Sequence, residues 1–332
     1  MKSKSEFDFS YQELTLARFR FTFWAETAIH FNTLPASHWR SALGSLLFET
    51  SPASSIPVHH QTVYQKFFYP VSQSLSDKRD PVRPIILSAD PWLPTIIPKG
   101  ALFHLEVTIF GSGYEGISTL LRAILDLQEI GIGDERSAAK GRFRVLSLDQ
   151  LLPDHTAKRL FDPWRQSMQH HWEVPIMKQP ASYTVEAWLQ PMNRTFYQPH
   201  ALSIHFVRPL NFKIKGIPIQ PKNFTFSEFI RALHRRYQDL LCVLGTSEHG
   251  LPSLTFLLEE AEEVEIISNK IGFQDEFKRF SLRQMQEISL SGITGQWVVE
   301  GVSKPLLKFL QAGTLTHCGK NSVMGLGKYE LN

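Results

Sequence analysis

The chain has 332 residues, of which 42% are hydrophobic and 12% aromatic, with a formal net charge of +3. That is enough apolar material for one large or two ordinary domains, and a mildly basic balance that permits a nucleic-acid partner without demanding one. Two cysteines, Cys242 and Cys318, exclude a disulfide framework and a cysteine-rich zinc site; with no signal-peptide core after Met1 and no run near the ~20 apolar residues that span a bilayer, the sequence reads as a soluble cytoplasmic protein with no membrane partner.

In chain order, Leu14–Ala28 alternates Leu and aromatic residues with Arg18, Arg20 and Thr22, the pattern of a strand with one buried face. After a loop containing Pro35, HWRSALGSLLFET has helical spacing, with Trp39, Leu43, Leu46 and Leu47 on one side and Ser37 as the expected cap. Residues 51–100 are rich in Pro and Ser and predict an irregular insertion with short strands near Tyr64–Tyr69 and Ile85–Leu87. Leu102–Phe110 predicts a strand, Ile117–Glu129 a helix ended by Gly131, and Arg142–Leu148 another strand. The order is that of a split β-α-β, ferredoxin-like domain over 1–150.

Residues 151–182 are polar, with scattered Pro and two Trp, and read as a linker or insertion. The pattern restarts at Leu202–Val207, continuing through Phe212–Ile214. A helix over Phe226–Leu244 follows, with apolar positions at 226, 229, 230, 233, 237, 240, 241 and 244. Strands are expected at Val264–Ile267, Arg283–Leu290 and Gln296–Glu300, then a short helix over Lys304–Gln311 and a glycine-rich loop, 313–328, leading into a last strand. This is a second ferredoxin-like order over 183–332. The fold class is α+β: two tandem ferredoxin-like domains with antiparallel sheets.

Three segments resemble the CRISPR-associated endoribonucleases of the RAMP superfamily that cut precursor CRISPR RNA at its repeats. THCGKNSVMGLGKYEL (Thr316–Leu331) is similar to that family's C-terminal glycine-rich loop. LPASHWRSALGSLLF (Leu34–Phe48) resembles its first strand-to-helix turn, where a histidine often opens the first helix. LSIHFVRPLNFKIKG (Leu202–Gly216), followed by HRRYQDLL, looks like the start of its second domain. The resemblance implies metal-independent cleavage by attack of a 2′-hydroxyl on the adjacent phosphate, leaving a 2′,3′-cyclic phosphate and a 5′-hydroxyl, with no cofactor. It implies CRISPR repeat RNA and crRNA as partners, with subunits of a CRISPR effector complex as further candidates. A related RAMP subunit that binds crRNA without cutting shares the same fold and loop, and is the alternative.

Such a cut needs a base for the 2′ proton, an acid for the 5′ oxygen and cations for the crowded phosphate; histidine suits the first two because it titrates near neutrality. His38 matches the family's helix-start position, and His317 and Lys320 lie in the glycine loop; these three are the catalytic candidates. The plain alternative for His38 is a surface histidine beside a packed Trp39. Gly319, Gly325 and Gly327 leave room for an RNA backbone, the alternative being a glycine-rich hairpin that simply packs the last strand. Lys328 and Arg40 offer phosphate contacts (Arg40 reads equally as a solvent-facing arginine), as do Arg231, Arg235 and Arg236 with Lys278, Arg279 and Arg283. The alternative for the Arg231, Arg235 and Arg236 cluster is a solvated helix face balanced by the acidic run Glu259–Glu265. His30 reads as structural.

Gly111–Gly116 has the spacing of a dinucleotide fingerprint, with Asp134 and Glu135 about 20 residues on. Those acids lie in a turn, however, and the motif does not open its domain, so a plain glycine turn is expected. Gly313–Lys320 misses the phosphate-loop spacing by one residue and has Asn321 where Ser or Thr is needed. His59-His60 and His170-His171 lack ligand partners at metal spacing.

Overall fold

Leu16–Tyr183 and Thr184–Asn332 fold as two separate units, with residues 13–15 grouping with the second. The computed structural model describes residues 13–49, 62–70, 82–135, 140–163, 178–195, 201–214, 216–246, 251–275, 278–281 and 286–332. His59-His60, His170-His171 and Arg283 lie outside them.

In the first unit, β1 (Thr15–Ala25), α1 (Pro35–Glu49), β3 (Ile85–Asp90), β5 (Leu102–Phe110), α3 (Ile117–Ile130) and β6 (Phe143–Leu151) follow the ferredoxin-like order. Their strands form an antiparallel sheet, β3-β5-β1-β6-β7, with β7 (Ala157–Phe161) added at one edge. Phe19, Phe21 and Phe23 alternate into the core as the period-2 pattern requires. Two short strands, β2 (Ile29–Phe31) and β4 (Thr95–Ile97), pair as a separate ribbon.

Three expectations change here. α1 starts at Pro35, so Ser37 is already helical, donating its N–H to the Leu34 carbonyl at 2.8 Å; proline fits a first turn whose N–H groups need no helical partner. Tyr64–Tyr69 is not a strand but the helix α2 (Val63–Phe68), opened by a capping box in which Thr62 and Gln65 satisfy each other's backbone N–H. The short strand expected at Ile85–Leu87 forms and runs on to Asp90, as an edge strand of the sheet paired with β5. Residues 157–161, inside the expected linker, extend the sheet. The Gly111–Gly116 turn is a short 3-10 helix. A Cβ at Gly113 would lie 2.9 Å from the Phe67 ring and one at Gly116 3.1 Å from it, so these glycines make room for a core aromatic.

After the two-residue strand β8 (Tyr183–Thr184), the second unit opens with helix α4 (Val185–Thr195). It repeats the order with β9 (Leu202–Leu210), α5 (Phe226–Leu244), β12 (Glu265–Gln274), β15 (Gly292–Glu300), α7 (Lys304–Thr316) and β16 (Tyr329–Leu331). The sheet runs β12-β15-β9-β16, all antiparallel. Added to it are the ribbon β10 (Lys213–Ile214) with β11 (Ile217–Pro218), helix α6 (Leu254–Glu262) and the hairpin β13 (Lys278–Ser281) with β14 (Gln286–Ser289). Thr225 caps α5 and Gly245 ends it in the left-handed conformation. Its apolar stripe packs on Phe206, Trp297 and Tyr329 of the sheet, with Phe229 centred 5.3, 6.3 and 5.1 Å from those rings.

α7 runs five residues beyond the expected Gln311, so Gly313 lies in the helix and not in the loop. There Tyr329 donates its hydroxyl proton to the Leu310 carbonyl at 2.5 Å, and a Cβ at Gly313 would stand 2.1 Å from that hydroxyl. Gly313→Ala therefore lowers the melting temperature, by overpacking that costs about 1–3 kcal/mol. Gly44→Ala in α1, where nothing lies within 4 Å of the new Cβ, raises it through the roughly 1 kcal/mol helix preference for Ala. Thermal unfolding of the two variants checks the opposite signs.

Candidate functional site

Two clusters of functional side chains form, one in each unit. In the first, Trp39 is fully buried and centred 5.0 Å from Phe23 and 5.5 Å from Phe143. That anchor fixes the first turn of α1 and leaves the neighbouring His38 side chain 18% exposed. Its Nε2 lies within hydrogen-bond distance of the Thr33 hydroxyl, 3.0 Å, and 3.7 Å from Asp134 Oδ2. The Phe31 ring packs against the imidazole at 5.2 Å.

Asp134 comes from the turn after α3, nearly a hundred residues away. Gly133 makes this approach possible: its φ is +99°, and a Cβ there would stand 2.5 Å from the His30 carbonyl. The Asp134 N–H donates to that same carbonyl at 2.9 Å, and its Oδ2 accepts the Asn32 N–H at 2.7 Å. Glu135 lies 3.6 Å from His30 and 2.9 Å from Lys140. The Lys140 hydrogen bond holds its carboxyl below the usual carboxylate range, with His30 adding to the effect. Arg40, one residue past Trp39, is half-buried on α1.

The second cluster surrounds the glycine loop, which folds back on its own unit. Gly327 accepts the Cys318 N–H at 3.0 Å and donates to the Pro209 carbonyl at 3.0 Å; Lys320 donates to the Asn211 carbonyl at 2.6 Å. A Cβ at Gly327 would lie 1.7 Å from the Cys318 carbonyl oxygen, and one at Gly319 2.4 Å from that of Asn211. Gly325 ends a single 3-10 turn at φ +72°. The glycines thus meet a demand of the loop's own packing, and Gly325 and Gly327 are buried. Expected as openings for an RNA backbone, these two are covered by protein.

The loop's charged residues divide into inner and outer sets. Lys320 is exposed; partial burial, then the nearby positive charges of Lys213 and Arg235, lower its pKa. Lys213 and Arg235 are exposed too, so the three form an outward cationic patch. Lys213, on β10, was not singled out by the sequence; only its place in the Leu202–Gly216 segment hinted at it. Arg231 is exposed on α5, 3.8 Å from Glu228, and Lys328 pairs with Glu330 at 2.8 Å. Lys278 and Arg279 lie on β13.

Arg236 and His317 face inward. Arg236 is 5% exposed and donates to the Thr316 carbonyl at 3.2 Å, closing the end of α7; burial lowers its guanidinium to about 10. The expectation that it shares an RNA-facing surface with Arg231 and Arg235 fails because position 236 falls on the buried stripe of α5. His317 is 7% exposed at φ +55°. Burial, then the charges of Arg208, Lys328 and Arg236, push its pKa well below the usual histidine value, against the opposing pull of a hydrogen bond from the ring to the Leu326 backbone carbonyl. Burial likewise pushes the Cys318 thiol up. Among the described residues no three His, Cys, Asp or Glu side chains gather as a metal-ligand group, and no helix is long and apolar enough to cross a membrane.

Because folded His317 resists a proton that the unfolded chain accepts, its contribution to stability is complete above ~6.5 and is lost as pH falls from there toward the folded value. His317→Asn, which tolerates positive φ, flattens the fall in melting temperature between about pH 7 and 5; an unchanged pH dependence contradicts a buried neutral imidazole.

Residues 204–329 match the family model for the CRISPR-associated endoribonuclease Cas6, and residues 14–173 match a model described as an N-terminal domain. No curated protein is significantly similar in sequence. Among solved structures, 96% of the chain superposes on a Cas6 product complex at 15% identity and TM-score 0.55, covering 100% of that chain. A Thermus thermophilus Cas6 matches over 96% of this chain and 99% of that one, at 12% identity and TM-score 0.51. A partial Cas6-RT-Cas1–Cas2 complex matches over 96% at 15% identity and TM-score 0.54, but this chain spans only 46% of that one, and 29% of the chain in a second such complex. At these identities the superpositions establish the fold. The chain shares the fold of these Cas6 structures, and its residues 204–329 match the model of the CRISPR-associated endoribonuclease Cas6.

Proposed function

We propose that this chain is a metal-independent endoribonuclease that cuts CRISPR repeat RNA in precursor transcripts to give crRNA. The observation that carries the reading is His38: a partly exposed imidazole in the first turn of α1, hydrogen-bonded to Thr33 and beside Asp134. It stands in a chain whose second unit matches the Cas6 endoribonuclease family.

In the proposed step the O2′–H proton passes to a base, O2′ bonds to phosphorus, the P–O5′ bond breaks and O5′ takes a proton. The products are a 2′,3′-cyclic phosphate and a 5′-hydroxyl. His38 is the group assigned to move a proton, as base or as acid. Backbone N–H groups of the first helical turn favour phosphate beside it, and Arg40 is the nearest guanidinium in sequence to help hold it.

His317, buried and kept neutral, is read as a structural histidine of the loop. Lys320, with Lys213 and Arg235, is assigned to RNA phosphates, with Arg231 and Lys328 as outer contacts. Subunits of a CRISPR complex are further candidate partners, since solved relatives include Cas6 within a Cas6-RT-Cas1–Cas2 complex.

The test is cleavage of a labelled repeat RNA from the same CRISPR locus in EDTA, with end-group analysis. Wild type and His317→Asn are expected to cut and leave a cyclic phosphate. His38→Ala is expected to lose about 10²–10⁴-fold, the usual worth of a general acid or base. Tight binding without cutting by wild type would replace this reading with that of a non-catalytic crRNA-binding subunit.

A further inference from the structure

The turn after α3 brings Asp134 to His38, and the proposed step assigns that carboxylate no role. Asp134 is anchored through its backbone and through its carboxylate. The Asp134 N–H is bonded to the His30 carbonyl, its Oδ2 accepts the Asn32 N–H at 2.7 Å, and Gly133 brings the backbone so close to β2 that no side chain fits between them. With its backbone anchored and Oδ2 bonded to Asn32, the carboxylate faces His38 Nε2 at 3.7 Å, and the Thr33 hydroxyl lies 3.0 Å from the same nitrogen.

We infer that Asp134 is a positioning residue for His38. With Thr33, it fixes the imidazole ring through Nε2 and stabilises the positive charge the ring carries while it holds a proton. Asp134 does not touch RNA and takes no proton itself. The inference rests on the assignment of His38 as the proton-moving group. Glu135 does not substitute for it, because that carboxylate is engaged by Lys140 and His30 on the far side of the turn.

This differs from a structural role in what it predicts. A carboxylate that merely ties the turn to β2 through the Asn32 N–H can be replaced by the isosteric amide, which keeps an acceptor oxygen. A carboxylate that serves the imidazole charge cannot.

The experiment measures single-turnover cleavage at saturating repeat RNA, the Kd for that RNA and the melting temperature in wild type, Asp134→Asn, His38→Ala and the double variant. Asp134→Asn is expected to slow cleavage about 10–100-fold, the size found for carboxylates behind metal-bound histidines, with Kd and melting temperature unchanged. In the His38→Ala background the same change has no further effect. Asp134→Glu, which restores the charge, recovers part of the lost rate.

Wild-type rates in Asp134→Asn, equal slowing in both backgrounds, or loss confined to melting temperature would each overturn the inference. Undiminished cutting by His38→Ala would instead overturn the assignment of His38, and Asp134 would lose its role with it.

Discussion

The first unit depends on one aromatic seat. Trp39 is closed in by Phe23 and Phe143, with Phe103 centred 4.9 Å from Phe23, and burial of a side chain this size is worth about 3–5 kcal/mol against its removal. The seat joins α1 to the middle strands of the sheet, because Phe23 and Phe103 face each other across β1 and β5 and Phe143 opens β6. Helix position follows from it, and so does the direction of every residue in the first turn. His38 is thereby held at the surface next to the β2 ribbon, where the turn of Gly131–Glu135 reaches it. The site is a by-product of core packing, completed by a glycine that lets two backbones touch.

The second unit reaches a comparable rigidity by other means. Its glycine loop is tied to the end of β9 and the residues beyond it by backbone hydrogen bonds from Gly327 and Lys320, and the loop's own ends are joined between Cys318 and Gly327. Tyr329 anchors the last strand to α7. With the inner charges spent on carbonyls, Arg236 on Thr316 and Arg208 on Gly325, the outward charges of Lys213, Arg235 and Lys320 remain as a patch. Partial burial, and then the like charges of Lys213 and Arg235 that the loop brings near, lower the affinity of Lys320 for its proton.

The ferredoxin-like order was legible twice because it is written in local periodicity: the alternation of β1, the stripes of α3 and α5, and Gly131 at the end of α3. Local signals also misled. The aromatic run at 64–69 looks strand-like until the Thr62–Gln65 capping box is weighed, and Arg236 looks like a partner of Arg235 although one residue on a helix turns it about 100° toward the core. Contacts made at long range left no local trace. Asp134 resembled the acid of a dinucleotide fingerprint or a plain turn residue, and nothing near it in sequence points to His38. The glycines of the C-terminal motif were visible as a pattern, but their cause, backbone contact with Asn211 and Cys318, requires the folded loop.

We propose a division of labour between the units, in which the patch by the glycine loop holds RNA and the His38 cluster cuts it. The measurement that tests this division most directly is RNA affinity against salt, alongside the saturated cleavage rate, for the Lys213→Ala/Lys320→Ala double variant. The account predicts weaker binding, a log–log salt slope shallower by about 1.4–1.8 for the two lost phosphate contacts, and a cleavage rate at saturation within a few-fold of wild type. Unchanged affinity and slope with a collapsed saturated rate would contradict it, and would move the catalytic chemistry to the glycine loop.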